Sequence, residues 1–293
     1  MLEEFRKIVP GAIRLTFLEE YLRPGDSLWV NPATGFLTSK RTMTASEVAN
    51  YWSDVIFQGV SEDRYSANKP FARARLLYVI ETIVQTLHLD KNREISWCDF
   101  ATGEGVILEL LSSLYPRFRL SATEHSKILV SDLQSRGFDV KELGLGFEGS
   151  KLDLDSNYDV STLTWTLANS IDPVNLLLDV VKSTKEGGFV CVAESSRILV
   201  PMRKSLINYL SKTDPADSHP SHFSANTLRL IMELVGLEIY YTNRFFDSDV
   251  LLVIGRKVSK KRISGFSDRQ DLVVAFMKNW FKQTQFYETL RSS

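Results

Sequence analysis

The sequence predicts an α/β fold in which a largely parallel sheet is covered by helices on both faces. From residue 94 onward, β-rich runs alternate with amphipathic segments that are long enough to form helices. Such alternation is typical of crossover connections between parallel strands. A second observation is the pair of β-rich runs Leu237–Thr242 and Val250–Gly255, which a short polar segment joins. This hairpin-like pair predicts one antiparallel strand near the C-terminus.

Helical segments are indicated by apolar residues at i, i+3 and i+4 spacing. Before residue 94, the strongest of them is Phe71–His88, and Ser46–Phe57 is compatible with a short helix. Turn signals at Arg23–Asp26 and Asn31–Gly35 interrupt the earlier residues. The remaining elements are predicted, in chain order, as strand Ile95–Phe100, helix Val106–Leu114, strand Arg119–Thr123, helix Ser126–Arg136, strand Tyr158–Trp165, helix Pro173–Thr184, strand Phe189–Ala193 and helix Ala225–Val235.

Composition is that of an ordinary folded protein. Of the 293 residues, 44% are hydrophobic and 24% are charged, and the formal net charge is −1. This balance gives no overall attraction to nucleic acid or to an anionic membrane, so no nucleic-acid partner is expected. No run approaches the roughly 18 apolar residues that a membrane span requires, so no membrane span is expected either.

Cysteine usage and the first residues favour a cytoplasmic protein. Cys98 and Cys191 are the only cysteines, and each lies in an apolar run that is predicted to be a strand. A disulfide framework or a metal site is therefore not expected, and a reducing compartment fits this usage. The first residues, MLEEFRK, carry acids where a secretory signal would carry positive charge.

The pattern divides the chain into three parts. Residues 1–93 are interpreted as an N-terminal helical or lid region that shapes the substrate pocket, residues 94–257 as the ligand-binding α/β domain, and residues 258–293 as a linker and a helix. The basic run Val258–Arg262 is interpreted as a solvated linker, with a phosphate-binding patch as the alternative. The last helix is expected to pack on its own chain or, alternatively, to form a homodimer contact, through Leu272, Val273, Phe276, Met277, Trp280 and Phe281.

The loop from Trp97 to Gly105, WCDFATGEG, carries the strongest chemical signal. A predicted strand carries Asp99 at its end, the chain turns through small residues, and a predicted helix begins at Val106. Small residues in such a turn let the backbone approach a ligand and adopt angles that a Cβ atom disfavours. Because ligands of open parallel sheets bind at the carboxyl ends of strands, this turn is predicted to be a binding loop.

The same residues argue against a dinucleotide. A G-x-G-x-x-G pattern that starts at Gly103 would need a glycine at Leu108, and one that starts at Ala101 would need a glycine at Val106. The negative charge of Asp99 would also face the phosphates, whereas it suits a ligand with a cationic amino-acid end. A nicotinamide-dependent oxidoreductase is therefore a disfavoured alternative.

This loop resembles the first motif of class I S-adenosylmethionine-dependent methyltransferases, acid-x-Gly-x-Gly-x-Gly, with Ala101 at the first glycine position. The resemblance implies a Rossmann-like seven-stranded, mostly parallel sheet with helices on both faces, here preceded by a mostly helical N-terminal extension. It also implies S-adenosylmethionine as cofactor, and an acid that binds the ribose hydroxyls, a position that Glu124 fills 25 residues after Asp99. The cofactor-binding residues expected on this basis are Asp99, Ala101, Thr102, Gly103, Gly105, Glu124, His125, Thr164 and Trp165.

Further segments resemble a branch of the family that is associated with sugar and surface-polysaccharide methylation. The run from His219 to Leu228 is similar to that branch's His-x-x-x-Phe-Ser-x-x-Thr-Leu segment, in which Ser224 is expected to cap the following helix. Tyr158 to Pro173 is similar to its fourth strand and following loop. Residues 31–51 resemble the segment that follows a zinc-binding Cys-x-x-Cys in sugar C-methyltransferases; the cysteines are absent here, so no metal is expected.

The chain departs from these relatives after the fourth strand. Where they often have Glu-His-Leu, this chain has Leu167-Ala168-Asn169-Ser170. The candidate catalytic residues are therefore His219 and His222, because a loop histidine can take a proton from a hydroxyl. Alternatively, these histidines only cap or hydrogen-bond the loop. Structural roles also stay open for a second candidate base, Glu194, and for three candidate contacts of the cofactor carboxylate, Tyr65, Arg73 and Arg75.

Two classes of function stay open at this point. The leading one is methyl transfer to a small-molecule or glycosidic acceptor, with O-methylation favoured. Such transfer needs little acid–base chemistry, because a sulfonium methyl group is already activated and alignment supplies much of the rate. The alternative is a catalytically weak or inactive S-adenosylmethionine-binding partner of another enzyme, which Ala101 and the altered Ala168–Asn169 loop suggest.

Overall fold

The structure is a computed structural model that describes residues 1–40, 44, 47, 70–142, 158–195, 198–201, 205–210, 219–244, 249–259 and 263–291. Apart from Glu47, the helix predicted at Ser46–Phe57 lies outside the described residues, as does Tyr65. The strands are β1 (Ile13–Arg14), β2 (Ser27–Val30), β3 (Leu37–Lys40), β4 (Ser96–Phe100), β5 (Arg119–Glu124), β6 (Asp139–Glu142), β7 (Tyr158–Thr164), β8 (Thr184–Glu194), β9 (Ser221–His222), β10 (Leu237–Thr242) and β11 (Leu251–Lys257). The α-helices are α1 (Pro70–Thr86), α2 (Val106–Leu114), α3 (Lys127–Ser135), α4 (Pro173–Ser183), α5 (Leu206–Leu210), α6 (Ala225–Leu234) and α7 (Gln270–Arg291), and short 3-10 helices lie at Leu2–Phe5, Thr16–Tyr21 and Leu167–Asn169.

Seven strands form the central sheet, in the order β10-β11-β8-β7-β4-β5-β6. The strands from β8 to β6 pair in parallel, whereas β11 is antiparallel to both β8 and β10. The predicted fold class, a mostly parallel seven-stranded sheet with one antiparallel strand, is therefore confirmed. The strand order reverses between β4 and β7, and ligands of open α/β sheets bind at the carboxyl ends of strands at such a point.

Successive side chains of each central strand point to opposite faces of the sheet, so each strand contributes to two cores. In β8, Val190 and Val192 pack with α4 and α6, whereas Cys191 and Ala193 pack on the side of α1, α2 and α3. The prediction of helices on both faces is thus confirmed. Among the described residues, no helix combines the length and apolar character needed to cross a membrane.

A second, antiparallel sheet, in the order β1-β2-β3-β9, was not predicted. Its last strand, β9, comes from far along the chain, and His222 of β9 pairs with Leu37 of β3. The N–H of Ser39 also donates to the carbonyl of Pro220 at 2.8 Å. Residues 1–40 therefore contain as much strand as 3-10 helix, because β1, β2 and β3 pair with one another and β3 also pairs with β9. The long helix of the predicted N-terminal region is α1. This sheet is joined directly to the segment that carries His219 and His222.

The small sheet packs on a core of its own, which brings together residues 15–37, Ile198 with helix α5, and the C-terminal helix α7. In α7, Val273, Met277 and Trp280 are buried, whereas Leu272 is 51% exposed. The helix therefore packs on its own chain through i, i+4 and i+7 positions, and Leu272 lies off the predicted face.

Two elements of the central sheet differ from the prediction. β8 begins at Thr184 and continues through Gly187 and Gly188, whereas the strand was predicted only from Phe189. β6 was not predicted, because it is an edge strand in which Val140 alone is buried.

Candidate functional site

Polar residues lie at the carboxyl ends of four neighbouring parallel strands. Asp99 lies near the end of β4, Glu124 ends β5, Thr164 ends β7 and Glu194 ends β8. Because parallel strands point the same way, these ends meet at one edge of the sheet. The predicted acids and the loop after β4 therefore share the edge where this fold class binds ligands.

The loop between β4 and α2 alternates left-handed residues with ordinary ones. Ala101, Gly103 and Gly105 have φ angles of 55°, 60° and 71°. This backbone region suits glycine but strains alanine. The loop is tied to β5, because Ala101 donates its N–H to the Thr123 hydroxyl at 3.2 Å and Thr102 donates its N–H to the Thr123 carbonyl at 3.0 Å. The alternation of small residues in the sequence thus corresponds to an alternation of backbone conformation.

Glu124 connects this loop to the end of β5. Its Oε2 accepts the N–H of Gly103 at 2.8 Å, and its Oε1 accepts the N–H groups of His125 and Ser126, each at 2.8 Å. Burial raises the pKa of Glu124, and these three bonds oppose the rise. A carboxylate has about four acceptor sites, so Oε2 retains capacity for one more donor. A ribose hydroxyl would meet that requirement.

Asp99 is fully buried, and only one of its carboxylate oxygens is hydrogen-bonded. Thr162 donates its hydroxyl to Oδ1 at 2.6 Å, because an ionised carboxylate only accepts, and the Trp97 indole donates to the same threonine oxygen at 3.1 Å. Among the described residues, Asp99 Oδ2 and Thr102 Oγ1 are buried with no hydrogen-bond partner. Burial raises the pKa of Asp99 to about 7, while the hydroxyl of Thr162 and the nearby hydroxyl of Thr102 oppose the rise. A buried carboxylate oxygen without a donor is where a cationic or donating ligand group fits.

Gly103 and Gly105 meet different surroundings. A Cβ atom at Gly103 would have no atom of the described residues within 4 Å, whereas one at Gly105 would lie close to Cδ2 of Leu133. Gly105 is therefore required for the packing of the loop on α3, and Gly103 leaves open space in front of the backbone. Together with the unsatisfied oxygen of Asp99, this space fits a cofactor that has a cationic amino-acid end.

Trp165 follows β7 and joins it to α1. Its backbone has the left-handed conformation, with φ 54°, and its backbone N–H donates to the Ala193 carbonyl at 2.8 Å. Its indole N–H donates to Ser195 Oγ at 2.8 Å, and the guanidinium carbon of Arg75 lies 4.3 Å from its ring centroid. Arg75 also donates to Ser195 at 2.6 Å and pairs with Asp249 at 3.2 Å. Arg75 thus fixes the first part of α1 to the carboxyl ends of β7 and β8.

The altered residues after β7 lie in the 3-10 helix Leu167–Asn169. Glu194 Oε1 accepts the N–H of Ala168 at 3.0 Å, and burial raises the pKa of Glu194 to about 7 against the opposing effect of the loop N–H groups. Asn169 Oδ1 lies 2.7 Å from Nδ1 of His219. The structure therefore brings His219 onto the loop formed by Leu167, Ala168 and Asn169.

His222 lies in a different environment from His219. It is buried in β9, with Nδ1 2.9 Å from the Tyr209 hydroxyl and Nε2 3.2 Å from the Ser39 hydroxyl. Its ring centroid is 6.4 Å from that of His219. Because hydroxyl groups engage both of its ring nitrogens, this geometry favours a role in holding the segment rather than in moving a proton.

Three hydroxyl residues complete the edge without having been singled out in the sequence, namely Thr123, Thr162 and Ser195. Thr162 had a detectable signal, because a threonine inside an otherwise apolar parallel strand needs a partner for its hydroxyl. Of the other candidates, Arg73 pairs with Glu109 at 3.3 Å, and the Thr164 carbonyl accepts the Thr166 hydroxyl at 3.1 Å.

Comparison by sequence identifies no relative, since neither a family model nor a curated protein matches the chain.

Solved structures are nevertheless similar to it. One is the magnesium protoporphyrin IX methyltransferase of Synechocystis PCC 6803 with bound S-adenosylhomocysteine, at a TM-score of 0.53 and 12% identity over 73% of this chain and 100% of that chain. Another is the plantazolicin methyltransferase BpumL in complex with a desmethyl analogue and S-adenosylhomocysteine, at 0.52 and 14% over 73% and 95%. A third is the [4+2]-cyclase SpnF, at 0.54 and 13% over 74% and 98%. At these identities the likeness concerns the fold, and the chain has the Rossmann-like fold found in class I S-adenosylmethionine-dependent methyltransferases.

Proposed function

We propose that this protein binds S-adenosylmethionine at the carboxyl edge of the central sheet and transfers its methyl group to a small-molecule or glycosidic acceptor, with an oxygen as the favoured target. The observation that carries the proposal is the buried Asp99 carboxylate with its unsatisfied Oδ2, in the loop that Gly103 bonds to Glu124. A carboxylate in that position suits a cationic amino group and repels phosphates.

Each part of the loop has a role in binding. Asp99 and Thr102 offer buried oxygens to the amino-acid end of the cofactor, and Gly103 leaves its backbone open to approach. Glu124 offers its remaining acceptor site to a ribose hydroxyl. The predicted contacts of Ala101, Gly105, His125, Thr164 and Trp165 belong to the same proposal, since all five lie in or beside the loops that follow β4, β5 and β7.

His219 is the residue proposed to handle the proton of the acceptor. When bound, the cofactor supplies a methyl group on a positively charged sulfur, whose bond electrons stay on sulfur as the new oxygen–carbon bond forms. His219 receives the hydroxyl proton that this step releases, because it projects from a loop at the ligand-binding edge and bonds to Asn169. His222 was the second catalytic candidate; its buried ring instead fixes the same segment through Tyr209 and Ser39.

The N-terminal residues are proposed to shape the acceptor pocket. β3 is hydrogen-bonded to β9 immediately after His219, so the small sheet lies beside the proposed base. A sugar-containing acceptor is the finer form of the proposal, and it depends on the similarity of the His219–Leu228 segment to the sugar-associated branch.

A protein that binds the cofactor without transferring its methyl group is the second candidate. It is favoured by the strained Ala101 and by the Leu167–Asn169 loop, which lacks the Glu-His pair that relatives often carry. The similarity of the fold to that of a [4+2]-cyclase also shows that one fold serves more than one chemistry.

Calorimetry with S-adenosylhomocysteine tests cofactor binding, and labelled S-adenosylmethionine incubated with fractionated small molecules and glycosides tests transfer. We expect binding by the wild type, loss of binding in Asp99→Ala, and normal binding without transfer in His219→Gln. Asp159→Ala, at the opposite end of the sheet, is the matched control that should bind normally. Absence of binding by a folded wild type would reject the proposal, whereas binding with no labelled product would favour the second candidate.

A further inference from the structure

The contact between Asn169 and His219 fixes which ring nitrogen of the histidine carries hydrogen. Asn169 Nδ2 donates to the Trp165 carbonyl at 3.0 Å, and a carbonyl can only accept, so the amide orientation is determined. The amide oxygen therefore faces His219 Nδ1, 2.7 Å away. An amide oxygen also only accepts, so Nδ1 must be the protonated nitrogen. In the neutral ring, Nε2 is then the nitrogen that accepts a proton.

The amide is itself held by rigid neighbours. Trp165 presents its carbonyl from a left-handed residue whose N–H is bonded to Ala193 and whose indole is bonded to Ser195. Glu194 accepts the N–H of Ala168, one residue before Asn169. The loop that carries the amide is therefore anchored to the end of β8 at two points, Trp165 and Ala168.

The histidine is held from the other side by the small sheet. The carbonyl of Pro220, next to His219, accepts the N–H of Ser39 at 2.8 Å and the hydroxyl of Thr38 at 3.3 Å. Two residues further on, His222 is bonded to Tyr209 and Ser39. The position of the His219 ring is thus determined at its backbone by β3 and at Nδ1 by Asn169.

We propose that Asn169 is a positioning residue that holds His219 in the Nδ1–H tautomer and thereby presents Nε2 as the base of the transfer reaction. This inference rests on the proposed function. An amide is suited to the task because it orients the ring without adding negative charge, as the asparagine of Cys-His-Asn enzymes does. A carboxylate in its place would also fix the tautomer but would favour the charged ring, which cannot accept a proton.

Long-range ¹H–¹⁵N spectra of the histidine rings, recorded on the full chain at pH 8, report the tautomer directly. The chain has four histidines, so His219→Gln assigns the resonance by its disappearance. We expect the Nδ1–H form for wild-type His219, loss of this form in Asn169→Leu, and its retention in Asn169→Asp with the pKa of His219 raised by about one unit. Asn92→Leu, at an exposed asparagine, is the matched control that should leave the tautomer unchanged.

The same variants separate this inference from the proposed function. S-adenosylhomocysteine should bind all of them equally, while transfer by Asn169→Leu falls about 10- to 100-fold and transfer by Asn169→Asp shifts to higher pH. An Nε2–H ring in the wild type, or an unchanged Nδ1–H ring in Asn169→Leu, would overturn the role of Asn169 even if the cofactor binds. Failure of the wild type to bind cofactor would instead reject the proposed function while the tautomer result stood. If Asn169→Leu does not fold, the wild-type tautomer and the Asn169→Asp spectrum still decide the question.

Discussion

Two aspartates on neighbouring strands, Asp99 and Asp159, have pKa values that are shifted in opposite directions by their surroundings. Asp99 on β4 is fully buried, and burial raises its pKa to about 7. Asp159 on β7 is partly buried, which opposes ionisation, but Lys185 at 2.8 Å and the Ser96 N–H at 2.8 Å lower its pKa overall. Ionisation of the buried Asp99 carboxylate thus costs stability, whereas ionisation of the Asp159 carboxylate stabilises the fold.

We expect Asp99→Asn to stabilise the empty protein at pH 8 while weakening cofactor binding more than tenfold. Between its ordinary pKa of 3.8 and the folded value of about 7, the folded chain retains a proton that the unfolded chain has lost. The contribution of Asp99 to stability therefore falls as pH rises through this window and is lowest above it. Asparagine carries no charge, so the gain at pH 8 should be roughly 1–3 kcal/mol and should shrink towards pH 4. Urea unfolding at several pH values and calorimetry measure both effects.

Asp159→Asn is the control, with the opposite sign. Its lowered folded pKa contributes stability above the ordinary aspartate value, and this contribution is lost as pH falls. Because the Asp159–Lys185 pair is partly exposed, the loss at pH 8 should be only about 0.5–1 kcal/mol, with cofactor affinity unchanged. A destabilised Asp99→Asn at pH 8 would contradict the assignment of the buried charge.

The two glycines of the binding loop give a second prediction. In Gly103→Ala the new Cβ meets none of the residues that the structure describes, so stability should fall by only about 1 kcal/mol from the positive φ. The proposed cofactor would lose its approach to the backbone. In Gly105→Ala the Cβ would overlap Leu133, so stability should fall by roughly 2–4 kcal/mol. Thermal unfolding and calorimetry on both variants test this division, which equal losses of stability would refute.

At the scale of elements, two serines at helix N-termini differ in what they contribute. Ser224 caps α6 in a capping box with Thr227 and also donates to Asp268, which confirms the predicted cap. Ser126 occupies the same position before α3 but makes no capping bond, and its hydroxyl is buried without a partner among the described residues. We expect Ser224→Ala to cost about 1–2 kcal/mol and Ser126→Ala to cost less than about 0.5 kcal/mol. Comparable losses in chemical denaturation would show that the caps are not distinguished in this way.

The elements that the sequence predicted well are those whose pattern is local. Helix Val106–Leu114 and strand Leu237–Thr242 have the predicted bounds, because their apolar spacing is long and uninterrupted. β9 has two residues and pairs with β3 near residue 37, so nothing local distinguishes it from a loop. The glycines inside β8 interrupted its pattern although the chain continues through them in the sheet.

The candidate site was likewise predictable only where its residues follow a local sequence pattern. Asp99 and Glu124 could be placed at one edge because each follows a β-rich run, and parallel strands align their ends. The contact of Asn169 with His219 joins residues that are 50 positions apart. It depends on how β9 is seated by the small sheet, which is a tertiary property that no spacing rule contains.

At the scale of the whole molecule, the core beneath the small sheet is assembled from three distant parts of the chain. Trp280 of α7 is buried there against Tyr209, with ring centroids 4.9 Å apart. We expect Trp280→Ala to cost roughly 3–5 kcal/mol, because the cavity opens where these parts meet. Phe286 lies on the same helix but is 61% exposed, so Phe286→Ala should change stability by less than about 0.5 kcal/mol. Urea denaturation compares the two, and a small loss for Trp280→Ala would mean that α7 docks weakly.

The pairing of β3 with β9 also means that β3 is synthesised well before the strand with which it pairs. Ser39 and His222, which this pairing brings together, are 183 residues apart. At about 5–20 residues per second, β3 emerges from the ribosome roughly 10–35 s before its partner has been made. During this interval one edge of β3 has open hydrogen-bonding groups that can join a strand of another nascent chain. The arrival of residues 221–222 therefore closes an aggregation-prone edge at the same moment that it places His219 beside Asn169, in the loop that follows β7.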